Sequence, residues 1–226
     1  MRRELLESYL ANPLRVLAMW QPWGILAVAP DPAHDGEPPK RHETRHWYPY
    51  EPLPLRVAIH ATAGFGREQR ETLKEPRIAE ALRRCGYHPA DPRPLLKRGT
   101  GPVGKLRPMP LGAIVGVATV IGIYSVHTPS VPAINAGVQW LNPETISADD
   151  AAMGYFVRRQ GDPHPHRYAW RLADTVLFPE PVPHTGRQDP LYELVGAEKS
   201  GVTIQLMQLL ETTTATDGRP EHVSAL

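Results

Sequence analysis

Leu17-Ala18-Met19-Trp20-Gln21-Pro22-Trp23-Gly24 is the stretch that decides the fold, and Lys40-Arg41-His42-Glu43-Thr44-Arg45-His46-Trp47 completes it after an inserted loop, residues 29–39. Alternating apolar residues predict a strand over residues 14–19. Pro22 then opens a short helix, because proline is tolerated at the first helical position. The second block predicts a strand over residues 42–47, on which Glu43 and Arg45 share a face and can pair.

The rest of the chain predicts a mixture of strands and helices. Further strands are expected at residues 55–60, 111–124, 168–172, 175–178 and 191–195, and glycines within 111–124 suggest bulges. Helices are expected at residues 3–11, 22–28, 67–85 with an interruption near Pro76, 147–157 and 202–211. Residues 87–110 show no periodicity and are interpreted as a long loop, and residues 212–226 as a frayed tail. This pattern favours an α+β fold built on a mixed β-barrel of about six strands.

Composition limits the classes of protein that the chain can represent. It has 226 residues and 26 prolines. Its formal net charge is only +1, so any argument for binding of nucleic acid must come from a local group of charges. No apolar run approaches the length of a membrane span, and no apolar stretch follows the charged N-terminus as in a signal peptide. Cys85 is the only cysteine, which suits a reducing compartment, and it is interpreted as a small helix residue. We therefore expect a cytoplasmic protein with no membrane partner.

Several separate motifs resemble one family. The two opening blocks are similar to the ASCH pattern of a strand, a QP(W/Y) turn and K-x-x-E-x-R-x-W, in its bacterial and phage form. Residues 58–61 (AIHA), 111–117 (LGAIVGV), 167–172 (RYAWRL) and 181–188 (PVPHTGRQ) resemble further family motifs in the same order. The resemblance implies a PUA-like barrel over residues 14–196, preceded by a helix in 1–13 and followed by a helix and tail in 197–226. It also implies a cleft that handles RNA or a modified nucleoside.

The K-x-x-E-x-R block supplies the candidate catalytic groups. Lys40 could act as a base and Glu43 as a general base or as an acceptor for a base's exocyclic amine. Arg45 offers a bidentate fork suited to phosphate. The other residues expected to contact a ligand are aromatic or polar and lie in the same motifs: Trp20, Gln21, Trp23, Trp47 and His60. A purely structural role for the tryptophans and for His60 stays open.

The predicted long loop, residues 87–110, carries a cluster of basic residues without an acidic residue between them: Arg93, Lys97, Arg98, Lys105 and Arg107. Such an arm can track phosphates. Gly99 to Lys105 satisfies G-x-x-x-x-G-K, but Leu106 replaces the required Ser or Thr and prolines prevent the following helix, so a phosphate-binding P-loop is rejected. His42 and His46 would share a face only on a helix, and His164-Pro165-His166 is a weak motif. Neither a metal nor a cofactor is expected.

Three functions are compatible with these residues. The leading one is recognition of RNA, or of a nucleotide within it, with ribonuclease activity as an added option; DNA is an alternative ligand. The second is an amidohydrolase acting on an N-acylated cytidine-type nucleoside, for which the resemblance implies a Thr nucleophile where this chain has Glu43. Thr44 is adjacent, but strand alternation predicts that it faces away. The third is a protein-binding adaptor. Neither enzymatic activity nor oligomeric state follows from the sequence.

Overall fold

The structure is a computed structural model that describes residues 2–94, 106–126, 133–134, 136–141, 146–154, 156, 164, 166–187, 189 and 191–217. Its α-helices are α1 (Arg2–Ala11), α2 (Trp23–Leu26), α3 (Arg67–Thr72), α4 (Pro76–Arg84), α5 (Ala148–Met153) and α6 (Gly196–Asp217). Its strands are β1 (Arg15–Met19), β2 (His42–Arg45), β3 (Leu55–Ala61), β4 (Tyr87–Pro94), β5 (Arg107–Leu111), β6 (Ala113–Ser125), β7 (Gln139–Trp140), β8 (Tyr168–Pro183) and β9 (Leu191–Glu193). Within the described ranges, no helix combines the length and the apolar character that crossing a membrane requires.

One curled mixed sheet forms the centre of the molecule. Six strands follow the order β2-β8-β6-β3-β1-β9, and the short strand β7 pairs with β6. Strands β1 and β3 run parallel, whereas the β3–β6, β6–β8, β2–β8 and β1–β9 pairs are antiparallel. The predicted α+β class with a curled mixed sheet of about six strands is confirmed.

The two longest strands, β6 and β8, bend against each other at register shifts. The shifts fall between Ile114 and Gly116, between Val117 and Thr119, and between Val120 and Gly122. A Cβ on Gly116 would come within 2.2 Å of the Val176 carbonyl oxygen, so only glycine allows the two backbones to approach this closely. The predicted bulges at Gly116 and Gly122 thus account for the curl of the sheet.

Apolar side chains cover both faces of the sheet. On one face, residues such as Leu17, Ile59 and Trp170 pack beneath α2, α4 and α5. On the other face, α1 and α6 lie over Val16 and Ala58, and bury Leu6 and Leu206 among others. Alternation along β1 and β3 produces this division, because neighbouring residues of a strand point to opposite faces.

Two local predictions about helix ends hold. Ser147 caps α5, since its Oγ accepts a hydrogen bond of 3.1 Å from the Asp150 backbone N–H. Pro76 begins α4 and so separates it from α3 within the predicted helix 67–85. Cys85 follows α4, where burial raises the pKa of its thiol to about 12, as expected for a packing residue rather than a reactive thiol.

Several predicted boundaries were wrong. Part of the supposed loop 87–110 forms a parallel two-stranded sheet of β4 and β5. The strands predicted at 168–172 and 175–178 are one continuous strand, β8, with Asp174 in the left-handed region at φ 52°. Helix α6 is longer than 202–211 at both ends, so residues 212–217 are helical rather than frayed, whereas α5 ends at Met153 and α2 at Leu26.

Candidate functional site

A cleft of about 350 Å³ opens between α2, β2 and α5. The residues that line it are Ala18, Trp20, Trp23, Lys40, Glu43, Thr44, Arg45, Thr62, Glu68, Met153, Arg167 and Arg187. Five residues expected from the sequence to act on a ligand are therefore brought to one cavity: Trp20, Trp23, Lys40, Glu43 and Arg45. Thr44, which alternation placed on the far side of the strand, contributes to the wall as well.

Lys40 forms the buried floor of the cleft and is only 2% exposed. Its Nζ donates to the backbone oxygen of His42 at 2.6 Å and to that of Met153 at 3.3 Å, and it lies 3.3 Å from Glu43 Oε2. The Trp23 ring covers it, with 5.5 Å between Nζ and the ring centroid. Three oxygen neighbours match the three N–H groups of an ammonium ion. Lys40 therefore holds strand β2 and helix α5 together at the floor of the cleft.

Glu43 binds Lys40 with one oxygen and Arg45 with the other. Arg45 Nε lies 2.9 Å from Glu43 Oε1, which confirms the ion pair expected from their shared strand face. The Arg45 guanidinium also donates from Nη2 to the backbone oxygen of Ala18 on β1. One carboxylate thus serves two cations, and the set leaves one net positive charge at the base of the cleft.

Asp150 fixes the α5 wall to strand β2. It is 1% exposed, and its Oδ1 accepts from the backbone N–H groups of Arg41 and His42 at 3.0 and 3.1 Å. Its Oδ2 lies 2.5 Å from His42 Nδ1. Because Met153 on the same helix accepts from Lys40, the position of α5 decides the geometry of the floor. No sequence pattern indicated this role for His42 and Asp150 beyond the helix cap at Ser147.

Aromatic rings border the mouth of the cleft. Trp20 is 52% exposed, which is unusual for a side chain of its size, and Trp23 is half-buried. Both also line an adjoining cavity of about 640 Å³, together with Glu68, Met153 and Phe156. An exposed indole beside two connected cavities is available to stack on a planar ligand group.

Three predicted ligand residues lie outside the cleft. Gln21 is buried and ties β5 to α2, donating to the Pro110 oxygen at 2.9 Å and accepting from the Ile25 N–H at 3.2 Å. Trp47 packs edge-on against Trp170 at 4.7 Å between ring centroids. His60 is buried beside the loop that follows β8. These placements indicate structural roles, which the sequence analysis had left open for the tryptophans and His60.

His60 belongs to a buried aromatic cluster. Its ring meets that of His184 edge to face at 4.6 Å, and His184 hydrogen-bonds through Nε2 to the Tyr192 hydroxyl. Burial, with a smaller contribution from His184, lowers the pKa of His60 to about 4. Burial also lowers the pKa of His184, although Glu198 opposes it. Both imidazoles are therefore neutral at neutral pH.

Three charged residues of the cleft were missed by the sequence analysis: Glu68 on α3, Arg167 before β8 and Arg187 after it. The motifs RYAWRL and PVPHTGRQ contain the two arginines, so the signal was present in the sequence. Nothing local, however, indicates that residues more than a hundred positions beyond Lys40 return to the same cavity.

The predicted basic arm is only partly described. Lys97, Arg98 and Lys105 lie outside the described residues, as does most of the P-loop-like segment, and Arg93 lies on β4. Arg107 is exposed on β5, with its guanidinium carbon 4.8 Å from the centroid of the Tyr87 ring. Arg107 does not line the cleft.

The inserted loop joins the frame of the site through charge. Asp31 accepts from Arg84 on α4 with both carboxylate oxygens, at 2.9 and 2.7 Å for the closest contacts, and Arg84 also reaches Asp149 on α5 at 3.1 Å. Although burial of Asp31 opposes it, the Arg84 hydrogen bonds lower the pKa of this carboxyl. Asp31, His34 and Asp149 place their ligand atoms within 4.8 Å of one another, but the Arg84 guanidinium already supplies the cation. We therefore interpret the group as an ion-pair network.

The histidines considered and rejected as metal ligands have different neighbours in the structure. His42 is enclosed by Asp150, Tyr124 and Phe156, whereas the His46 ring stacks on His164 at 3.8 Å. The two histidines of β2 and its end thus occupy different environments, as expected for a strand rather than a helix.

Comparison with known proteins gives structural neighbours alone. No protein-family model matches the chain, and no curated protein matches it. The similar solved structures include the ASCH protein from Zymomonas mobilis, with 15% identity over 86% of this chain and 94% of that one and a TM-score of 0.36. A mutant form of that protein has 14% identity over 85% and 98% of the two chains and a TM-score of 0.37. Another mutant form has 14% identity over 84% of this chain and 94% of that one, with a TM-score of 0.38. Likeness at this level carries no information on activity.

Proposed function

We propose that the protein recognises RNA by holding one nucleotide in the cleft formed by Trp20, Trp23, Lys40, Glu43 and Arg45. The observation that carries this proposal is an exposed indole, Trp20, at the mouth of a cavity whose floor is positively charged. Aromatic stacking accepts any base, and cations attract the phosphate backbone. The cavity volume of about 350 Å³ falls in the range of small-ligand sites.

Lys40 and Glu43 have binding rather than proton-transfer roles in this proposal. The ammonium of Lys40 is surrounded by acceptors, and Glu43 is occupied by two cations. Glu43 can still accept a hydrogen bond from a base amine through a free lone pair, since each carboxylate oxygen has two. Cleavage of the bound RNA is an additional activity that the same experiment detects.

The test is a fluorescence titration of single-stranded RNA with the wild type, Trp20→Ala and Trp140→Ala, run at about 50 and about 200 mM salt. Trp140 is the matched control, because it is 59% exposed on β7 and does not line the cleft. We expect Trp20→Ala to weaken binding by at least about tenfold, the loss of one stacking contact, while Trp140→Ala binds like the wild type. Absence of binding by the wild type at low salt would exclude the proposal, and a shortened product on a gel would add ribonuclease activity.

Hydrolysis of an N-acylated cytidine is the second candidate. The presence of Thr44 on the wall that also carries Lys40 favours it. Incubation of acylated cytidine with the wild type and with Thr44→Val separates the two functions. Release of the acyl group by the wild type and not by the variant would support the hydrolase, whereas no release would leave recognition of RNA as the function.

A further inference from the structure

The cations named by the sequence motif are already occupied within the protein. Glu43 neutralises one of the two charges of Lys40 and Arg45, at 3.3 and 2.9 Å. Lys40 also donates to the backbone oxygens of His42 and Met153, and Arg45 Nη2 donates to that of Ala18. A ligand phosphate that bound directly to these groups would have to displace hydrogen bonds in a buried floor. The strong anion contact of the cleft should therefore lie elsewhere on its wall.

Arg187 meets the requirement for such a contact. It is exposed, lines the same cleft, and lies with its guanidinium carbon 5.1 Å from the centroid of the Tyr192 ring. Among the described side chains, no carboxylate lies within ion-pair distance of this guanidinium. Attraction of the guanidinium to a ring face uses none of its five N–H donors.

The loop that carries Arg187 is held in place by packing beneath it. Gly186 lies directly over the His60 ring, because a Cβ at this position would come within 2.7 Å of His60 Cε1. Two residues earlier, His184 is hydrogen-bonded to Tyr192 on β9. The backbone that leads into Arg187 from residues 184–186 thus has a defined position, which reduces the entropy lost when the side chain binds an anion.

We propose that Arg187 forms the phosphate subsite of the cleft that the motif residues also line. The inference deepens the proposed function and rests on it in one respect, that the phosphate belongs to a nucleotide whose base stacks on Trp20. A guanidinium suits a phosphate ester better than an ammonium does, since its fork can donate two parallel hydrogen bonds. Lys40 and Arg45 then supply a positive potential from below.

The experiment compares wild type, Arg187→Ala and the control Arg83→Ala. Arg83→Ala removes the same charge from an exposed position on α4, where the Arg83 side chain pairs with Glu80 at 3.3 Å. Calorimetric titration with cytidine, cytidine 5′-monophosphate and inorganic phosphate separates the nucleotide from free phosphate as the source of the anion. The fluorescence titration with single-stranded RNA at two salt concentrations is repeated on the same three proteins.

We expect Arg187→Ala to weaken RNA binding about tenfold and to reduce the slope of log K against log salt by about one, with Arg83→Ala unchanged. The wild type should prefer the monophosphate over cytidine, and Arg187→Ala should lose that preference. Monophosphate or phosphate binding that depends on Arg187 without RNA binding would support the subsite and reject recognition of RNA. RNA binding that is unaffected by Arg187→Ala, or equally reduced by Arg83→Ala, would overturn the subsite and leave the proposed function standing. No binding of any probe would reject both.

Discussion

Oδ2 of Asp150 lies 2.5 Å from Nδ1 of His42, and this contact joins helix α5 to strand β2 across more than a hundred residues of sequence. Both side chains are buried, and Asp150 also accepts two backbone N–H groups of β2. The cleft floor depends on the contact, because Lys40 bonds to one backbone oxygen from each of the two elements.

Asp150→Asn should lower the free energy of unfolding by about 2–3 kcal/mol. An amide is the same size as the carboxylate, but its NH₂ group would replace one of the two acceptor oxygens. A buried donor that faced that oxygen would then lose its acceptor. Urea unfolding at neutral pH, followed by tryptophan fluorescence, measures the change. Glu80→Gln on the exposed face of α4 is the matched control and should stay within about 0.5 kcal/mol of the wild type. A similarly small effect of Asp150→Asn would show that α5 is not held by this carboxylate.

Lys40→Met and Glu43→Gln should each destabilise the fold by about 3 kcal/mol or more. Glu43→Gln leaves the buried Lys40 without its counterion, which costs more than the pair itself contributes. Lys40→Met leaves the backbone oxygens of His42 and Met153 without their donor, although Arg45 still neutralises Glu43. The double variant should be more stable than the sum of the single losses predicts, by about 1–3 kcal/mol. The four proteins are compared by urea unfolding. Additive losses would mean that the 3.3 Å contact contributes no coupling.

Stability should fall between pH 6.5 and pH 4 because of His60. Burial and the nearby His184 lower the pKa of His60 to about 4 in the folded protein, whereas the exposed ring of the unfolded chain has a pKa of about 6.5. Below pH 6.5 the unfolded state therefore binds a proton that the folded state excludes. The contribution of His60 is complete above pH 6.5 and decreases by about 1.4 kcal/mol per pH unit toward pH 4.

His60→Gln isolates that effect. Between pH 6.5 and about pH 5 the wild type should lose about 2 kcal/mol more stability than the variant, because both share every other titrating group. Urea midpoints at the two pH values give the comparison. Equal pH slopes in the two proteins would show that His60 is accessible to protons in the folded state.

Gly186→Ala should impair ligand binding although glycine and alanine differ by one methyl group. The new Cβ would clash with His60 at 2.7 Å and lift the loop that positions Arg187. We expect a loss of RNA affinity close to that of Arg187→Ala, about tenfold. Gly64→Ala is the control, since a Cβ there meets no atom within 4 Å. Addition of His60→Ala removes the ring and should restore part of the affinity; a double variant as weak as Gly186→Ala would contradict the steric explanation.

Local patterns in the sequence were sufficient for much of the fold. The alternation in residues 55–60, the cap at Ser147 and the shared face of Glu43 and Arg45 all depend on neighbours within a few positions, and all appear in the structure.

Contacts between segments that are distant in the sequence could not be predicted from such local patterns. The β4–β5 pair joins segments on either side of residues 95–105, and its many prolines match no regular strand pattern. The return of Arg167 and Arg187 to the cleft depends on how β8 crosses the sheet, and sequence spacing does not encode that. The burial of Lys40 was equally invisible, because lysine in a sequence is normally a solvent-exposed residue.

One charge network joins Asp31 in the inserted loop, Arg84 on α4 and Asp149 on α5. The position of each of these three segments therefore depends on the other two. A loop of this length between a helix and a strand would ordinarily be a convenient place to shorten the chain or to attach a tag. Here such engineering would release one side of α5, the helix that carries both Asp150 and Met153. The inserted loop therefore influences the shape of the cleft through α5, although none of the side chains of the loop lines the cleft.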